Sequence, residues 1–131
     1  MRNLPQLLKE EKAIREKIDR FEHDVSLIDY VCTFRGITKD ELVSRSRKKD
    51  FFLGRVLVSY IFLYRKWSLH EIADEVGRGH CSIMHYKYLL LDEWDKMIEN
   101  EVRLFVLWMW CEGVDLPTLE EFRDKVTIKQ K

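Results

Sequence analysis

The stretch SLHEIADEVGRGHCSIMHYKYLL, Ser68 to Leu90, decides how this chain is read. Two apolar helical patterns meet in it across Gly77, Arg78 and Gly79. Ser68 and Glu71 have the spacing of a capping box that opens the first helix, and Gly77 is placed to end it. Turning the second helix by roughly 100° per residue puts Ile83, Tyr86, Lys87 and Leu90 on one side, with Lys87 extending outward past its stem. The other side holds Cys81, His85 and Tyr88, with His80 and Ser82 near the start. That polar set is either a metal or catalytic cluster, or a surface for touching something else.

Cys81 and His85 stand one helical turn apart, as two zinc ligands can, but His80 projects differently and no fourth ligand is spaced nearby. No metal is expected. Cys81 as a nucleophile with His85 as its base lacks a third, orienting residue, so no enzyme is expected either. The contact surface remains. Counted from Leu69 as position 1, Ala73, Gly77 and Ile83 fall at positions 5, 9 and 15, which resembles the helix-turn-helix pattern. Ala73 lets the two helices approach, Gly77 can adopt a positive φ, and Ile72, Val76 and Ile83 pack the pair onto a third element. In such a motif the exposed start of the second helix enters the major groove.

Upstream, SRSRKKD (Ser44 to Asp50) is basic and lacks apolar periodicity, which predicts a loop. Asp50 is placed to cap the long apolar helix FFLGRVLVSYIFLYRKW, whose Phe52, Val56, Tyr60 and Leu63 share one face. Thr38 and Glu41 predict a capping box before KDELVS, and Ser26 offers a cap for LIDYVCTFRG, which Gly36 ends. Leu4 to Phe21 reads as an amphipathic helix with Leu7, Ile14, Ile18 and Phe21 near one stripe, short of three full heptads. Thr118 and Glu121 open a last helix, Leu119 to Thr127. With five Gly and two Pro, few strand-like alternating runs and long stretches rich in Leu, Glu, Lys and Arg, the chain is expected to be all-α.

At 131 residues, 46% of them apolar, the chain suits one globular domain with helical additions. Its formal net charge is zero, but from Arg35 to Tyr88 there are 11 Lys/Arg against 6 Asp/Glu, and both flanks are acidic. Cys32, Cys81 and Cys111 are too far apart for a disulfide framework or a zinc ribbon. The first residues, MRNLPQLLKEEKAIREK, carry charge where a signal peptide needs an apolar run, so a cytoplasmic location is expected. The most apolar segment, Val102 to Cys111, is about half of the roughly 20 residues a membrane span requires, so no membrane contact is expected.

VGRGHCSIMHYKYLL resembles the signature G-R-D-H-T-T-V-x-H of the C-terminal DNA-binding domain of the bacterial replication initiator DnaA. The matching residues are Gly77, Arg78, His80, Ile83 and His85, with Ser82 a close substitute for Thr. The similarity runs upstream through SLHEIADEVG, Tyr60 and Arg55 to DELVSRSRKK, which is similar to the family's D-L-x-S-K-x-R basic loop. It covers about Val25 to Leu91. The resemblance implies that Arg47 enters the minor groove, that His80, Cys81 and Ser82 read bases beside His85, and that Arg45, Lys48, Lys49, Arg55 and Arg78 hold phosphates. Gly79 begins the reading helix and leaves free N–H groups for a phosphate.

There are departures from the family's pattern. Gly79 replaces an Asp and Cys81 a Thr, which removes a carboxylate that accepts from cytosine N4 and a methyl near thymine, each worth roughly 1 to 3 kcal/mol of discrimination. The turn and the loop before Ser68 are each one residue short. No G-x-x-x-x-G-K-[ST] occurs, so neither nucleotide nor any other cofactor is expected. The implied organisation is an N-terminal amphipathic arm (1–23), a DnaA-like helix-turn-helix domain (24–91) and a C-terminal helical extension (92–131).

The resemblance implies a sequence-specific binder of double-stranded DNA that acts in replication control or transcription regulation. The alternative is a protein-interaction module that keeps the fold and binds a replication or transcription partner through its Trp-rich flank. Trp94, Phe105, Trp108 and Trp110 are expected to bury against the N-terminal helix, the core or a second copy. Leu4 to Phe21 and Asp92 to Cys111 are expected to pack together as a dimer or partner surface.

Overall fold

The computed structural model describes residues 4–126, except for the side chains of Arg20 and Phe21, and all its regular elements are helices. In chain order they are α1 (Leu4–Arg35), α2 (Lys39–Val43), α3 (Lys49–Tyr64), α4 (Leu69–Val76), α5 (His80–Leu91), α6 (Lys96–Cys111) and α7 (Leu119–Lys125). Among the described residues there is no strand, and the chain is all-α. Thr127, the expected end of α7, lies outside the described residues.

α3 is the axis of the molecule because its sequence is apolar on every side. From Leu53 to Leu63 each of its residues is buried, and α1, α2, α4, α5, α6 and α7 all pack against it. Thr38 and Ser68 form the capping boxes their spacing predicts. Thr38 Oγ1 accepts from Glu41 N–H at 3.1 Å, and Ser68 Oγ from Glu71 N–H at 3.1 Å, while each glutamate accepts in return from the cap's own N–H. Thr118 Oγ1 caps α7 by accepting from Glu121 N–H at 3.2 Å.

Two expected caps are absent. Ser26 does not begin a helix, since α1 runs unbroken through it and its hydroxyl donates to His23 O, one turn back. Asp50 does not cap α3, which starts at Lys49. Its carboxylate is taken by Arg35, whose guanidinium also pairs with Glu101 of α6.

The C-terminal helices belong to the core. Phe105 and Trp108 of α6 pack on Phe34 of α1 with ring centroids 5.2 and 5.5 Å away. Phe122 of α7 stacks on Tyr60 of α3 at 4.6 Å, and the Tyr60 hydroxyl donates to Pro117 O at 2.5 Å. Burial, with the nearby Glu121 and Glu120 carboxylates, pushes that phenol's pKa well above the usual tyrosine range.

Not every tryptophan buries as expected. Trp94 is 87% exposed, and Trp110 remains 44% exposed although its indole donates to Leu116 O. Nor do the two arms pair, because α6 meets the second half of α1, at Tyr30, Phe34 and Arg35. The first half of α1 stands out from the body with Leu4, Leu7, Leu8, Ile14 and Ile18 exposed.

Candidate nucleic-acid interface

α4 and α5 form the helix-turn-helix. Ile72, Val76 and Ile83 are fully buried and Ala73 nearly so, which brings the helices together over α3. Gly77 closes α4 with φ of +67°, and a Cβ on it would stand 2.7 Å from Val43 O. The turn needs glycine twice over, for the left-handed conformation and for the approach to α2.

α5 buries Ile83, Tyr86, Lys87 and Leu90 and leaves His80, Cys81, His85 and Tyr88 exposed, with Ser82 and Met84 half-buried. Lys87 is a correction. Its side chain is 4% exposed rather than extended outward, and desolvation lowers its pKa. Gly79, the N-cap of α5, supplies no side-chain cap, so the first turn keeps backbone donors for an outside acceptor. His80 stands beside His70 of α4, ring centroids 4.7 Å apart, a neighbour that sequence reasoning did not single out.

The basic loop between α2 and α3 is held from beneath. Arg55, 1% exposed, donates from Nε to Leu42 O at 2.7 Å, from one terminal nitrogen to Ser46 O at 2.8 Å and from the other to Ser44 O at 2.6 Å. Arg78 donates to the Ser44 and Ser46 carbonyls at 3.1 and 3.0 Å. With its carbonyls turned inward, the loop presents Arg45, Arg47, Lys48 and Lys49, all exposed, to the outside.

Arg55 therefore departs from its expected role at a phosphate. Its donors are engaged by the chain itself, and desolvation, with the Arg78 charge nearby, lowers its pKa. Arg78 is half-buried and shares the task. The signal was present in the sequence, as a lone charge inside FFLGRVLVSYIFLY requires buried acceptors.

The loop and α5 enclose a cleft of about 500 Å³ lined by Arg47, Phe52, Arg55, Arg78, Cys81, Ser82, His85 and Tyr86. Arg47 thus faces the first two turns of α5 across one opening. His80 and Gly79 lie outside it, and Arg45, Lys48 and Lys49 flank it on the loop. Asp50, at the end of the basic run, pairs with Arg35, and among the described residues Arg45, Arg47, Lys48 and Lys49 form no salt bridge. Among the described residues, no group of three or more His, Cys, Asp or Glu is placed to hold a metal ion, and no helix is long and apolar enough to cross a membrane.

Residues 26–87 match the model of the bacterial DnaA protein helix-turn-helix. A stretch of 60 residues is 33% identical to the chromosomal replication initiator protein DnaA of Pseudothermotoga lettingae, covering 45% of this chain and 14% of that protein. No solved structure matches. The matched segment runs from the last third of α1 into α5 and contains the basic loop, its two arginine supports and the first two turns of α5. Residues 26–87, a little under half of the chain, are thus similar to the helix-turn-helix of the bacterial DnaA protein.

Proposed function

We propose that this protein binds double-stranded DNA sequence-selectively, with Arg47 in the minor groove and His80, Cys81, Ser82 and His85 at base edges in the adjacent major groove. The observation that carries this reading is the placement of Arg47 and the start of α5 on opposite walls of one open cleft. Arg45, Lys48 and Lys49 hold phosphates on the loop side, and the uncapped first turn of α5, from Gly79, holds one on the other. Arg78 adds charge at the wall of the cleft. Gly79 and Cys81, which lack the family's carboxylate and hydroxyl, direct the protein to a site different from the initiator's own box.

Binding is the activity, without catalysis. Site occupancy in the cytoplasm then controls replication or transcription. Selection of bound sequences from a random duplex pool, with the natural protein and with Arg47→Ala/His80→Ala, tests this. A short motif enriched by the former and lost by the latter is the expected result; no enrichment overturns it. A second reading, binding of a protein partner, is favoured by the exposed Leu104, Leu107 and Trp110 on α6. Salt separates the two, because phosphate binding weakens steeply as salt rises and an apolar interface does not.

A further inference from the structure

The first half of α1 carries an apolar surface that the DNA-binding reading does not use. Leu4, Leu7, Ile14 and Ile18 are 68%, 45%, 60% and 50% exposed. In sequence they follow the three-four alternation of a heptad seam, 4, 7, 11, 14, 18, 21, with Glu11 at one seam position and Phe21 continuing the register. Leu8, 56% exposed, widens the stripe. The seam does not face the body. Ala13, which lines a cleft with Arg65, Lys66 and Glu71, lies roughly 130° round the helix from it, and Lys17, on the same cleft, stands at the seam's edge, roughly 90° from its centre.

The charges beside the seam identify what covers it. Glu10 and Lys17 flank one edge, and Arg15 and Glu22 the other. Two copies side by side in parallel place Glu10 opposite Arg15 and Lys17 opposite Glu22 of the second chain. Two copies in antiparallel, centred between Glu11 and Ile14, place Glu10 opposite Lys17 and Glu11 against Ile14. In both arrangements the flanking charges are of opposite sign; the parallel one also sets Glu11 against its own copy in the seam, each carboxylate paired with Arg15 of its own helix. A lipid surface would instead call for a basic polar face, whereas Lys9 to Asp19 holds equal numbers of Lys/Arg and Asp/Glu.

We infer that residues 4–21 form one strand of a two-stranded coiled coil with a second copy of this chain, so that two helix-turn-helix bodies are joined by their arms. The pairing is independent of DNA binding and is tested without DNA. Sedimentation equilibrium of the full chain from low to high micromolar concentration should show a reversible monomer–dimer equilibrium. Ile14→Asp/Ile18→Asp should be monomeric at the same concentrations, with the near-ultraviolet signature of the α1–α6 aromatic cluster unchanged. Glu10→Lys should raise the dimer dissociation constant about tenfold, as both symmetry-related pairs become repulsive. Adding Arg15→Glu restores a parallel dimer, and adding Lys17→Glu restores an antiparallel one. A chain that is monomeric throughout, a dimer that survives Ile14→Asp/Ile18→Asp, or a Glu10→Lys defect that neither second change repairs would overturn the inference.

Discussion

Two arginines in and near the basic loop carry different burdens. Arg47 is exposed and, among the described residues, its side chain makes no hydrogen bond or ion pair, so Arg47→Ala should leave the thermal midpoint unchanged while weakening the proposed DNA binding. Arg55 is the reverse. Arg55→Leu takes the side-chain donor from the Leu42 carbonyl and leaves the Ser44 and Ser46 carbonyls to Arg78 alone, and should cost about 1 to 3 kcal/mol of stability, measured by urea unfolding, together with the amide protection of the loop. If Arg55→Leu left both untouched, something other than Arg55 would be holding the loop in place. The pattern of Ala73, Gly77 and Ile83 was legible because each meets a local steric demand. For Arg55 the need of buried acceptors was legible, as a lone charge in an apolar helix, but which carbonyls meet it was not, because they come from 9 to 14 residues away in sequence and the family likeness assigns it to a phosphate instead.

At the scale of single elements, caps were read well wherever the answer is local. Thr38, Ser68 and Thr118 each find their acceptor or donor within three residues, and the sequence spacing contains that geometry. Ser26 and Asp50 failed for tertiary reasons: α1 continues through Ser26 into the face that packs on α3, and Arg35 claims Asp50 from another helix. The backbone N–H of Ser68, and then its hydroxyl, hold the Glu71 carboxyl below the usual carboxylate range. Its folded pKa is depressed, so its contribution to stability is present above the ordinary carboxylate range and is lost as pH falls through the folded value. Ser68→Ala should therefore cost about 1 kcal/mol at neutral pH, and less at a pH acidic enough to protonate Glu71, as compared by thermal melts of the two proteins.

For the molecule as a whole, composition and periodicity were enough to give an all-helical body, and the charge count marked the basic centre. The flanks were less legible, since a tryptophan declares that it has area to bury but not where. Phe105 and Trp108 find Phe34, while Trp94 stays in solvent. Ending the chain at Cys111 would remove Phe122 and Pro117 from Tyr60, and the shortened protein should lose several kcal/mol, on the order of the 3–5 kcal/mol typical of deleting a buried aromatic side chain, read from the urea midpoint. Arg55 and Arg78 fix the loop to α3 and to the turn before α5 before any partner arrives. On the proposed function, association with DNA needs no folding step in the protein, and titration calorimetry at several temperatures should return a heat-capacity change set by the surface covered, without the larger negative increment that accompanies the ordering of a chain.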